Sequence, residues 1–123
     1  MNTVSYILNG TTLTFDSATG ALFEVSHPVA GTLVSGGKGI LDMAWPYHSD
    51  FDALRCNATA EHYGEAPTIT GDESSVTVAW SVMPRTIPTG DLEGLRGGIK
   101  AEVYFTACDD KKSIAMRCHV TNN

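Results

Sequence analysis

The stretch "GIKAEVYFTACDDKKSIAMRCHVT", residues 98–121, decides the fold. Apolar and polar residues alternate from Gly98 to Cys108 and again from Ser113 to Thr121, in phase across the turn Asp109-Asp110-Lys111-Lys112. Alternation of period two on both sides of a polar turn predicts a β-hairpin. Pairing Ala107 with Ile114 sets Phe105 opposite Met116, Val103 opposite Cys118 and Ala101 opposite Val120. One side of the ribbon is then wholly apolar and is expected to be buried, with Cys118 as a small core residue. The other side carries Lys100, Glu102, Tyr104, Thr106, Arg117, His119 and Thr121, with Glu102 opposite His119 and Tyr104 opposite Arg117. A slip of one residue would exchange the two sides completely, so the pattern specifies register as well as pairing. The same register puts Cys108 and Cys118 on opposite faces, which disfavours a disulfide between them.

Further upstream, Ser75 to Val82 alternates, with Val76, Val78, Trp80 and Val82 on one face. Shorter strands are expected from Ala53 to Ala60 and around Thr68 to Thr70, the latter followed by the turn Gly71-Asp72-Glu73-Ser74. At the start of the chain, Val4 to Leu8 and Thr11 to Asp16 flank Asn9-Gly10, a dipeptide suited to a two-residue hairpin turn. Asp16-Ser17-Ala18-Thr19-Gly20 reads as a type I turn followed by a left-handed glycine, which would place Phe15 opposite Phe23 and Leu13 opposite Val25. His27-Pro28 ends that strand, because proline has no N–H to give the ladder and restrains the residue before it. Gly31 to Gly39, with four glycines, is expected to be a flexible connection, Asp42 to Asp52 a structured loop, and Met83 to Gly97 a long loop between adjacent strands. No window shows helical spacing over the ten or so residues a helix needs. The expected class is all-β, an antiparallel β-sandwich or barrel forming a single domain over residues 1–123. Because the sequence stops just after a strand, it is expected to be the first part of something longer.

A chain of 123 residues buries roughly two-thirds of the surface it exposes when unfolded, enough for a core without staples. Its hydrophobic share of 42% includes no long uncharged apolar run, so no bilayer-spanning helix and no membrane partner are expected. Fourteen acidic against eight basic residues give a net charge of −6, which repels phosphate backbones and argues against nucleic acid as a partner. Three cysteines cannot all pair, and the N-terminus lacks the basic flank and apolar run of a secretion signal. Both features favour a reducing, cytoplasmic setting with Cys56 and Cys108 as free thiols. Asn9-Gly-Thr11 and Asn57-Ala-Thr59 match the glycosylation acceptor pattern, which has meaning only on a eukaryotic secretory route.

The richest constellation of side chains is Trp45, Tyr47, His48 and Asp50, with Phe51 and Asp52 close by and Arg55 just beyond. Rings beside carboxylates and a basic group suit carbohydrate, whose apolar faces stack on rings while its hydroxyls need charged, directional partners. The alternative is that Trp45 and Phe51 anchor a loop while Asp50 and Asp52 cap turns. His62, Tyr63 and Glu65 could supply a general base or a metal ligand, but no pair of histidines stands at ligand spacing and no metal or other cofactor is expected. The carboxylate pairs Asp50 with Asp52 and Asp91 with Glu93 would serve glycoside hydrolysis only at a defined separation in space. No catalytic residue is assigned. Ser35-Gly36-Gly37-Lys38-Gly39 is too short for a phosphate loop. The outward residues Glu102, Tyr104, Arg117 and His119 form either a binding surface or a solvated face with cross-strand pairs.

"LNGTTLTFDSATGALFEVSHP", "GILDMAWPYHSDFDALR" and "GIKAEVYFTACDDKKSIAMRCHVTNN" together span most of the chain. They resemble the N-terminal β-sandwich of large bacterial carbohydrate-active proteins, the galactose-mutarotase-like supersandwich placed ahead of a catalytic domain in glycoside-hydrolase-like chains. The likeness lies in an opening strand with a D-x-x-T-G turn and an A-x-D-D-x-x-S-I hairpin leading into R-C-x-V-x-N. It implies a partial supersandwich and a non-catalytic accessory role, either binding carbohydrate or packing on a catalytic domain of the parent chain. Two alternatives stand beside it: a free-standing β-sandwich that binds protein partners or assembles through its exposed hairpin, and an epimerase-like enzyme using His62 and Glu65.

Overall fold

The computed structural model describes residues 2–38, 42–46, 53–57, 66–81 and 99–122. The described residues contain ten strands and no helix. The strands are β1 (Thr3–Leu8), β2 (Thr11–Asp16), β3 (Leu22–His27), β4 (Gly31–Lys38), β5 (Asp42–Pro46), β6 (Ala53–Asn57), β7 (Thr68–Gly71), β8 (Ser75–Trp80), β9 (Ile99–Ala107) and β10 (Ile114–Asn122). They form a four-stranded sheet in the order β1-β2-β3-β4, a second four-stranded sheet in the order β10-β9-β8-β7, and the two-stranded ribbon β5-β6. Every pairing is antiparallel.

The first sheet is a meander whose turns follow from local chemistry. Asn9 and Gly10 both take positive φ, 49° and 81°, as a primed two-residue turn requires, and Leu8 pairs with Thr11 across them. Between β2 and β3, Asp16 N–H donates to Ala21 O and Gly20 N–H to Asp16 O, with Gly20 left-handed at φ 75°. The Asp16 carboxylate holds the loop by accepting from Ala18 N–H at 2.9 Å. Leu13 pairs with Val25 as expected, but Phe15 pairs with Leu22 and not with Phe23. The closing loop and the body of the strands require registers that differ by one residue, and a bulge at Thr14/Phe15 absorbs the difference.

Gly31 to Lys38 is a strand, not the flexible connection that its glycines suggest. His27 ends β3, its Nδ1 accepts from Val29 and Ala30 N–H, and Gly31 at φ 78° returns the chain along β3. Backbone pairing alone suffices for such a strand, and two register shifts along β3–β4 accommodate its irregular sequence. Asp42 to Pro46 likewise belongs to a strand, β5, where a structured loop was expected; the remainder of that segment lies outside the described residues. Ala53 to Asn57 is β6, with residues 58–60 beyond the description.

In the second sheet the expected register holds at every named pair: Ala107 with Ile114, Phe105 with Met116, Val103 with Cys118, Ala101 with Val120, Tyr104 with Arg117 and Glu102 with His119. Both tight turns are fixed by aspartates. Asp110 accepts from Lys112 and Ser113 N–H at 2.8 Å each, and Asp72 accepts from Ser74 and Ser75 N–H at 2.7 and 3.1 Å. These residues belong to a polar turn because the carboxylate replaces backbone partners that a tight reversal leaves unpaired.

Leu8, Leu13 and Phe15 of the first sheet and Val76, Val78, Trp80, Ala101, Val103 and Phe105 of the second form one buried cluster. The rings of Phe15 and Phe105 meet at 5.6 Å with planes tilted by 58°, a favourable edge-inclined aromatic pair. Gly20 lies at this junction. A Cβ built there would stand 2.7 Å from Trp80 Cζ2 and 2.9 Å from Pro67 Cγ, so the absence of a side chain is what lets the loop approach the second sheet.

The cover provided by the first sheet stops at β9. Of the apolar residues on β10, Ile114 alone packs against the cluster, while Met116 and Val120 are 57% and 41% exposed and Cys118 is exposed. Cys118 is therefore not the core residue that alternation suggests. Its side chain shares a face with Val103 but stands outside the buried cluster.

Candidate functional site

The residues expected to bind carbohydrate are only partly described. Trp45 lies in β5 opposite Leu54, and Arg55 lies in β6 opposite Ala44, so the pairing sets them one register step apart, at positions on opposite faces of the ribbon. Tyr47, His48 and Asp50 lie outside the described residues, as do Phe51, Asp52, His62, Tyr63, Glu65, Asp91 and Glu93. Among the described residues, no group of three or more His, Cys, Asp or Glu side chains is placed to hold a metal ion. No helix there is long and apolar enough to cross a membrane.

The outer face of β9 and β10 is described in full from Lys100 to Thr121. Antiparallel pairing sets Tyr104 beside Arg117, whose guanidinium carbon lies 5.2 Å from the ring centroid, a cation–π contact. The Tyr104 hydroxyl donates to the Glu102 carboxylate, two residues along the same strand and therefore on the same face. Lys100 Nζ reaches the same carboxylate at 3.5 Å. The hydroxyl bond, the nearby Lys100 and the facing His119 hold the Glu102 carboxyl below its usual range, with the hydroxyl contributing most. The same bond pushes the Tyr104 phenol above its usual value, because losing the proton would set two negative charges side by side. Lys100, Glu102, Tyr104 and Arg117 are thus coupled by direct contact: Arg117 covers a face of the ring, and the ring's hydroxyl is committed to Glu102. The ring face that lies under Arg117 is closed to a stacking sugar, so this geometry favours the interlocked cross-strand arrangement over a free aromatic platform.

The β10 edge is different in character. Its inward side presents Met116, Cys118 and Val120 to solvent, and partial desolvation still raises the Cys118 thiol above its usual value. Its outward side carries Arg117 and His119. Cys108 and Cys118 are both free thiols, in line with the faces their register assigns.

A second feature escaped sequence reasoning altogether. The turns β1–β2, β7–β8 and β9–β10 converge at one end of the molecule around a hollow of about 460 Å3, lined in part by Asn9, Glu73, Cys108, Asp109 and Lys111. The Asn9 side-chain amide donates to Cys108 O at 3.0 Å and to Ser113 O at 2.8 Å. One residue thus shapes a turn in the first sheet and clamps the mouth of a hairpin in the second. Its partners lie 99 and 104 residues away, and the only local signal, Asn-Gly, speaks of the turn and not of the clamp. Ser74 O accepts from Ala107 N–H at 2.9 Å and ties the β7–β8 turn to β9. No protein-family model matches the chain, and comparison with curated proteins and with solved structures likewise returns no match.

Proposed function

We propose that this chain is a non-catalytic accessory module of a carbohydrate-active, glycoside-hydrolase-like protein, a β-sandwich of the supersandwich type that works by packing against a neighbouring body. The observation that carries the packing role is the exposed stripe Met116, Cys118 and Val120. It continues the inner face of a sheet whose β8 and β9 residues are buried, so the apolar surface extends past the cover that the first sheet provides. The carbohydrate setting rests on the likeness of the opening D-x-x-T-G turn and the closing hairpin to the galactose-mutarotase-like supersandwich. Trp45, Tyr47, His48, Asp50 and Arg55 are the residues proposed to meet a sugar. The same stripe supports a second reading, a free-standing interaction or assembly module.

Two measurements test the reading. The Met116→Lys/Val120→Lys variant keeps its circular dichroism spectrum and unfolding midpoint, since both positions are exposed, while binding of an apolar dye falls at least several-fold. Retardation in native gels cast with polysaccharide, without turnover of simple sugars, supports the carbohydrate setting. Mutarotation or hydrolysis that is lost on His62→Ala would overturn the accessory role in favour of an enzyme. A light-scattering mass above the monomer with no retardation favours the free-standing module.

A further inference from the structure

We propose that β10 is an acceptor edge for strand addition, and that the strand it takes is an extended partner segment alternating aliphatic and acidic residues. The inference rests on the packing role above and names the chemistry of what packs.

β10 is the outermost strand of its sheet, and β9 is its only partner among the described residues, so half of its backbone N–H and C=O groups point away from the sheet. Edges of this kind are usually blunted by brevity, proline, a bulge or an inward-pointing charge. The opposite edge of the same sheet is blunted: β7 has four residues and follows Pro67 directly. β10 has nine residues in unbroken register, no proline, and Met116, Cys118 and Val120 on the side where a protective charge would stand. A strand laid along it gains both a hydrogen-bond ladder and apolar contacts at alternate positions.

Charge selects the occupant. The chain as a whole carries −6, yet Ile114 to Asn122 contains Arg117 and His119 and no carboxylate. The facing carboxylate, Glu102, is already engaged by the Tyr104 hydroxyl and by Lys100, and Arg117 makes no ion pair among the described residues. A second copy paired antiparallel about Cys118 would set Arg117 beside the His119 of its mate, a basic group against a basic group. A segment with Glu or Asp opposite Arg117 and His119 and aliphatic residues opposite Met116, Cys118 and Val120 satisfies both sides of the edge at once.

The test uses labelled nine-residue peptides alternating valine with glutamate or valine with lysine, titrated with the protein by fluorescence anisotropy and followed by amide hydrogen exchange. The glutamate peptide is expected to bind at least ten-fold more tightly than the lysine peptide and to slow exchange along residues 115–121. Arg117→Glu should reverse the preference, and Cys118→Lys, which places a charge on the inward side, should abolish binding of both peptides while leaving the unfolding midpoint in place. Equal affinity for the two peptides, or binding that leaves β10 exchange unchanged, overturns the proposal. Protection of β10 that grows with protein concentration in the absence of peptide also overturns it, in favour of a second copy as occupant, and leaves the packing role intact. If neither peptide binds and the Met116→Lys/Val120→Lys pair leaves dye binding unchanged, both the proposal and the packing role fail.

Discussion

Replacing Gly20 with alanine probes the junction between the two sheets directly. Gly20 has φ 75°, where an L-residue pays about 1–2 kcal/mol, and its new Cβ would meet Trp80 Cζ2 at 2.7 Å, Pro67 Cγ at 2.9 Å and Val78 Cγ1 at 3.1 Å. All three atoms belong to packed side chains, so relief requires the loop to move off the second sheet, at the overpacking cost of about 1–3 kcal/mol. The combined loss is about 2–5 kcal/mol, a large part of the roughly 5–15 kcal/mol that holds such a domain together. Gly10 supplies the control, because its φ of 81° imposes the same backbone penalty while nothing lies within 4 Å of its would-be Cβ. With a urea m-value near 2 kcal/mol/M, Gly20→Ala should lower the unfolding midpoint by about 1–2.5 M, and Gly10→Ala by about half that or less. The clash also predicts coupling. Trp80→Phe removes the Cζ2 atom, so the double variant Gly20→Ala/Trp80→Phe should lose less than the two single losses added together. Equal midpoints for Gly20→Ala and Gly10→Ala, or strict additivity with Trp80→Phe, would refute the close approach of loop and sheet.

Asn9→Gly keeps the positive φ of the turn but removes the amide that bridges Cys108 O and Ser113 O; it should cost about 1–3 kcal/mol in chemical denaturation and speed amide exchange at the β9–β10 mouth. Trp80 is fully buried and its indole N–H has no hydrogen-bond partner among the described residues, so Trp80→Phe should cost less than Phe15→Ala, for which about 3–5 kcal/mol is expected from calorimetric or urea unfolding. Asp72 and Asp110 have carboxyls held below the usual range, by the Ser74 N–H first in one case and the Ser113 hydroxyl first in the other. Groups depressed in the folded state stabilise it above their unfolded value, near 4, and lose that contribution as pH falls through the folded value. The midpoint of thermal unfolding should therefore drop below about pH 4, and Asp110→Asn should flatten that dependence.

How much of this could be read from the residues depends on which interactions carry each element. The β9–β10 register was legible because several alternating pairs agree across a short polar turn and a one-residue slip would destroy the apolar side. Asn9-Gly10 and Gly20 were legible because their turns need positive φ, which few residues tolerate. β4 was hidden because Gly36 and Gly37 break the alternation, and backbone pairing with β3 holds the strand regardless. The Phe15–Leu22 pairing was hidden because the loop and the strands each dictate a register and the bulge that reconciles them leaves no composition signal. Exposure of Met116, Cys118 and Val120 was hidden for another reason: alternation says which way a side chain points, not how far the opposing sheet extends. Of the expected carbohydrate residues, Trp45 and Arg55 are brought to neighbouring strands by a pairing that the mixed aromatic and acidic sequence did not announce.

Each sheet joins strands that follow one another in the chain, yet the core joins the two sheets. On a ribosome the first meander is complete when Lys38 emerges, while the residues that cover Leu13 and Phe15 extend to Phe105. At about 5–20 residues per second, the intervening stretch of roughly 70 residues takes about 4–14 s to make. Through that interval the nascent N-terminal ribbon holds an uncovered greasy flank. Asn9 can fasten only once Ser113 has been translated, which makes its clamp the latch that records arrival of the β9–β10 hairpin.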